Sequence, residues 1–202
     1  MVIEIFSLIV LLFSMLIHEI AHGSVALSLG DPTAKYEGRL TLNPLKHLDP
    51  IGSILLPIFL FLTVGRSFIW LKPVPINPDN FRDQKWGTLK VAMAGPGTNF
   101  LIALFFGLLI RFFNLSASLF LFFSLTSIYN FAWGIFNLLP FPPFDGSHIF
   151  FTILGERWGN VKIFLNQYSL FILIFILFIG LDWIFRLAAL LFTLVSGQRF
   201  IY

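Results

Sequence analysis

Apolar residues run through this chain in long uninterrupted stretches instead of marking one face of each helix. The first covers about residues 3–29 and stops at Gly30-Asp31-Pro32. A second runs from Ile51 to Gly65, a third from about Thr88 to Phe113, and a fourth from about Ser116 to Leu139. The last, about 166–197, reads as one long kinked helix or as two helices hinged around Gly180-Leu181-Asp182. A helix needs roughly 20 apolar residues to cross hydrocarbon. The first, third and fourth stretches are therefore expected to span, whereas 51–65 is short and interrupted by Pro57, so it either re-enters or spans. Tyr36 to Leu42 alternates with a period near two and predicts a small interfacial β element. Phe68 to Pro78 is proline-rich and extended. The fold class expected is an all-α polytopic membrane protein with a small interfacial β element, as one domain over 1–202. Its core is about 1–150, followed by a C-terminal helical region of about 151–202.

Composition agrees with the pattern. The chain is 57% hydrophobic and 11% charged, against about 25% charged residues in soluble domains, which places it in the bilayer. It has no cysteine, which removes disulfides, thiolate ligands and cysteine nucleophiles together. A net charge of +3 is too small and scattered to suggest nucleic acid. The N-terminal stretch lacks a basic leader, so a cleaved signal peptide is not expected. Seven of the 13 basic residues (Lys35, Arg39, Lys46, Arg66, Lys72, Arg82, Lys85) lie between residues 30 and 89, with Lys90 at the edge. The positive-inside rule puts that region in the cytoplasm, so the first helix runs inward. If 51–65 does not cross, the chain after Leu139 returns to the same side.

Within the first stretch stand His18-Glu19-Ile20-Ala21-His22. Residues four apart on a helix are about 40° out of register, so both imidazoles reach one side and can grip one metal ion. Glu19 lies about 100° round from His18, able to reach a metal-bound water without being a ligand. Ionisable groups are expensive in hydrocarbon and mark function there. A catalytic zinc site needs a third protein ligand. His47, His148, Asp49, Asp145 and Asp182 are the candidates. Asp145 ends Asn137-Leu138-Leu139-Pro140-Phe141-Pro142-Pro143-Phe144-Asp145-Gly146, where Pro140 breaks the helix and Gly146 permits a turn behind the carboxylate. Asp145 could instead cap a helix starting at Ser147.

These residues resemble the site-2 protease family of intramembrane metalloproteases. HEIAH matches its zinc motif, and Asn137-x-x-Pro140-x-Pro142-x-x-Asp145-Gly146 is similar to its second signature, with Phe144 where leucine is common. Ala94-Gly95-Pro96-Gly97-Thr98-Asn99 looks like its small-residue motif. The chain looks like a compact member without a PDZ domain. The resemblance implies that His18, His22 and Asp145 hold one Zn²⁺ per chain and that Glu19 is the general base. It also implies that Asn137 acts near the metal as a helper of the oxyanion, although Asn137 reads equally well as support for the helix end at Pro140. Implied partners are transmembrane substrates, such as membrane-tethered regulators, together with the lipid bilayer. The implied setting is a prokaryotic cell membrane, with the site toward the cytoplasm. The segments 36–42 and 68–78 are candidates to pair with an unwound substrate strand. Asn99, Gly95 and Gly97 read first as close helix packing, and His47 as an interfacial turn residue. A metal-binding transporter or channel, and a non-catalytic binder of transmembrane helices, are the rival readings; no internal repeat of the transporter kind is visible.

Overall fold

The computed structural model describes residues 2–55, 58, 62, 71–155 and 158–200. Helix α1, Val2–Ser28, is the first apolar stretch. It ends as its sequence demands: Gly30 takes a left-handed φ of +112°, and the Asp31 N–H turns back to the Ala26 carbonyl at 2.9 Å. A single turn, α2 (Thr33–Tyr36), follows. Helix α3 is Gly87–Phe112 and α4 is Ala117–Asn137, opened by a Ser116 cap on the Leu119 N–H. Then come α5 (Asp145–Leu154), α6 (Gly159–Phe175) and α7 (Leu181–Ser196). The last two are joined by a π-type turn, Ile176–Gly180, so the 166–197 region is one helical rod with its irregularity at the expected hinge. Helices α1, α3 and α4 are each long and apolar enough to cross a membrane.

The β element is not formed. Among the described residues no strand occurs, and 36–42 belongs to the end of α2 and the turns after it. The reason is local. Gly38 is left-handed at φ +62°, its N–H closes on the Lys35 carbonyl, and the Arg39 N–H closes on Ala34. Arg39 is also buried, which breaks the polar-out alternation a strand would need. Residues 71–77 form neither helix nor strand, prolines at 73 and 75 having no N–H to offer a ladder, and the expected extended run ends where Pro78 opens a 3-10 turn, Pro78–Asn80. Most of 51–65, and residues 68–70, lie outside the described residues.

Topology follows from the contacts. His22 meets Val91, and the Asn99 amide meets the Ser14 carbonyl, so α3 runs antiparallel to α1. Ser127 meets Ala103, Asn130 meets Asn99, and α4 turns back again. The chain also leaves α1 and re-enters α3 on one side: Arg82 N–H bonds Leu29 O at 2.8 Å, and Lys72 N–H bonds His47 O at 2.8 Å. Phe131 and Phe136 of α4, with Phe141 and Phe144 just beyond it, share a core with Ile184, Ala188 and Phe192 of α7.

Asp31 anchors this end of the bundle. It is fully buried and accepts from the Asn77 N–H at 2.8 Å, the Asn80 amide at 2.8 Å, and Thr33. Burial alone would raise its pKa, but the donors from Thr33, Asn80 and Asn77 outweigh it and hold the carboxyl below its ordinary value. A depressed folded pKa contributes stability above the unfolded value, and that stability is lost as pH falls through the folded one. Asp31→Ala should therefore cost about 2 kcal/mol at neutral pH. The difference from wild type should shrink below about pH 4, near the ordinary carboxylate value. Thermal unfolding in detergent at both pH values checks this.

Candidate metal centre and adjoining groove

His18 and His22 sit on the inner face of α1, 2% and 5% exposed. Their Nε2 atoms are 3.0 Å apart. Asp145 Oδ2 lies 2.9 Å from His18 Nε2 and 3.2 Å from His22 Nε2. The structure thus brings together the three sequence-predicted ligands, and theirs is the grouping among the described residues that could hold an ion. For bonds of about 2.0 Å, tetrahedral donors stand about 3.3 Å apart, close to these separations.

Why Asp145 arrives there is local. Helix α4 ends at Asn137, and α5 begins at Asp145 with Phe144, not Asp145, in the capping position. The carboxylate is consequently free to face α1. Gly146 is not a turn residue as expected; its φ is not positive. It lies so close to the Leu138 and Leu139 carbonyls that a Cβ would overlap them, so glycine is required for approach.

The far nitrogens of both imidazoles are fixed by groups that can only accept. His22 Nδ1 is 2.7 Å from the Val91 carbonyl. His18 Nδ1 is 2.7 Å from Asn99 Oδ1. The Asn99 amide is oriented in turn, because its Nδ2 donates to Ser14 O at 3.1 Å and to Asn130 Oδ1 at 2.9 Å. Asn130 donates onward to the Thr126 carbonyl. Both Nδ1 atoms are therefore donors, which leaves Nε2 of each ring as the atom that faces Asp145. Two imidazole Nε2 atoms and a carboxylate oxygen converging in a buried place could hold a cation, and this donor set suits zinc.

Small-residue placement also fits. A Cβ on Gly95 would fall on His22 Nε2 and within 2.6 Å of His18 Nε2. Asn99 and Gly95, read from sequence as packing residues, are thus the support and the clearance of the centre. An amide in an apolar span was the available signal.

Glu19 is not in the trio. Its Oε2 accepts the Val74 N–H at 2.8 Å. It borders a cavity of about 440 Å³ that also touches both histidines, Asp145, Asn137 and Trp133. Asn137 Nδ2 donates to the Trp133 carbonyl one turn back, at 3.0 Å. His148 is exposed at the cavity rim. His47 stands at a turn, as expected, but is fully buried there and bonds the Thr41 carbonyl at 3.0 Å. Burial and the nearby Arg39 charge lower its pKa. Asp49 caps the turn at Pro50–Leu55 through the Gly52 N–H.

Comparison with known proteins bears on the same residues. The profile of peptidase family M50 matches residues 113–180. The Bacillus subtilis (strain 168) protein named "Putative zinc metalloprotease YwhC" is 41% identical over 150 residues, covering 70% of this chain and 65% of the relative. "Putative zinc metalloprotease Rip2" of Mycolicibacterium smegmatis is 30% identical over 149 residues, 67% of this chain and 52% of the relative. "Putative zinc metalloprotease MJ0611" of Methanocaldococcus jannaschii is 31% identical over 148 residues, 72% of this chain and 69% of the relative. The chain thus spans about two thirds or less of the length of the first two relatives. No solved structure matches it.

Proposed function

Because the chain belongs to peptidase family M50, the site-2 protease family, we propose that it is a zinc endopeptidase cutting transmembrane segments of membrane-anchored proteins. The observation that carries this reading is the convergence of His18 Nε2, His22 Nε2 and Asp145 Oδ2 beside Glu19, on one cavity between spanning helices. His18 Nε2, His22 Nε2 and Asp145 Oδ2 would hold zinc, which when bound would supply Lewis acidity to the site. Glu19 would act as the general base, taking a proton from the attacking water and returning it to the leaving amine. Asn137 spends one amide hydrogen on Trp133 and keeps the other, and this second hydrogen is the candidate donor to the oxyanion. Phe136, Phe144 and Trp133 line the cavity and suit apolar side chains of a locally unwound substrate. The excess of Lys and Arg around the ends of α1 and α3 supports a cytoplasmic opening, and membrane-tethered regulators are the substrate class that fits it. The intact Glu19 favours catalysis over mere binding.

In proteoliposomes holding the full chain and a tagged single-pass apolar helix, a zinc chelator should stop cleavage and added zinc should restore it. Asp145→Ala should lower zinc content of the purified protein below one per chain. Full occupancy in that variant would move the third ligand elsewhere, to His148 first.

A further inference from the structure

Arg39 is 6% exposed and has no part in the chemistry above. Its Nη2 donates to the carbonyls of Lys72 at 2.8 Å and Pro73 at 3.2 Å. The next residue, Val74, is the one whose N–H holds Glu19 Oε2 at 2.8 Å. The strap is pinned on both flanks: Lys72 N–H bonds the His47 carbonyl at 2.8 Å, and Asn77 N–H bonds Asp31 at 2.8 Å. Prolines on either side of Val74 fix φ at 73 and 75. The strap also lies hard against α1. Gly23, one turn beyond Glu19 on the same helix face, would place a Cβ 2.9 Å from Val74 Cγ1 and 2.6 Å from Leu40 Cδ2.

We propose that Arg39 is a positioning residue for Glu19, acting through the Lys72-Pro73-Val74 backbone to keep the carboxylate beside the metal trio. A side chain that sits off the reacting geometry by about 1 Å can cost about 10²-fold in rate. Arg39 fixes that geometry from the far side of the strap, through two carbonyls and one N–H, without touching substrate. It is distinct from the supports of the metal ligands, Asn99 and Val91, which reach the centre from α3.

The assignment rests on the protease reading, and the experiment separates the two. The zinc-loaded full chain in proteoliposomes is assayed against a tagged single-pass apolar helix. Arg39→Met should lower kcat by about 10- to 100-fold, leave KM within about twofold, and keep one zinc per chain. Arg39→Lys should recover most of the rate, since an ammonium still donates to the same carbonyls. Amide exchange in peptides spanning Val74 should speed up in Arg39→Met. Should Arg39→Met fail to accumulate, Arg39→Gln is assayed in its place, since its shorter side chain cannot hold both carbonyls, and it should show the same loss of kcat. An unchanged kcat in either variant, a loss confined to KM, or loss of zinc would overturn the assignment. A wild-type chain that cuts no such helix would overturn the protease reading itself, and Arg39's role with it.

Discussion

Glu19→Gln should abolish peptide cleavage and leave one zinc per chain in place. Glutamine has the shape of glutamate, and its amide oxygen can still accept the Val74 N–H that fixes Glu19 Oε2 at 2.8 Å. What it cannot do is take a proton. Glu19 also stands outside the ligand group formed by His18, His22 and Asp145, so the substitution removes no donor from the metal. A positioned general base contributes typically 10²- to 10⁴-fold, and the same group must later protonate the amine, so the variant should fall below detection. Zinc by atomic absorption and cleavage of a membrane-embedded helix, measured on one preparation, check both halves. Turnover near wild type would remove Glu19 from the mechanism. Loss of zinc would place it among the ligands.

Much of this centre was legible in the sequence because helical spacing is a strong constraint. His18 and His22 share a face by periodicity alone. The three spanning helices follow from length and apolarity, and α1, α3 and α4 fall within a few residues of the expected stretches. The Arg82–Leu29 and Lys72–His47 bonds join the segment after α1 to the segment before α3, a pairing that the charge pattern between residues 30 and 89 left open. Asp145 was legible for a different reason: the run of prolines before it forbids helix, and a carboxylate after such a break is free to point back.

What the sequence did not reveal depends on contacts between elements. A period-two pattern at 36–42 reads as a strand, but its backbone groups close on residues three to five positions earlier and Arg39 turns inward. Nothing in the local sequence says that the arginine will find the carbonyls of Lys72 and Pro73, more than thirty positions away. Asn99 and Asn130 are legible as costly amides in apolar helices. That one of them would fix His18 and the other would fix the first requires the packing of three helices. Gly146 shows the same limit: sequence supplies the permissive residue, while the Leu138 and Leu139 carbonyls supply the reason for it.

Gly95→Ala should destroy the metal centre although alanine is the better helix former. Intrinsic propensity favours the substitution by up to about 1 kcal/mol in a helix interior. Against that stands a Cβ placed on His22 Nε2 and 2.6 Å from both Cε1 and Nε2 of His18. Either α3 moves away from α1, or both imidazoles swing off Asn99 Oδ1 and the Val91 carbonyl, the two acceptors that aim their Nε2 atoms at Asp145. Loss of one orienting partner costs typically 10- to 100-fold in metal affinity, and this substitution displaces two ligands at once. Zinc binding should therefore weaken by more than about 100-fold, and cleavage should disappear with it. Gly97→Ala is the control on the same helix: a Cβ there meets nothing within 4 Å, so zinc retention should match wild type and thermal stability should hold or rise slightly. Dialysis of both variants against graded chelator, with zinc counted afterwards, gives the comparison. Equal retention in the two would mean that α1 and α3 are not held as close as this centre requires.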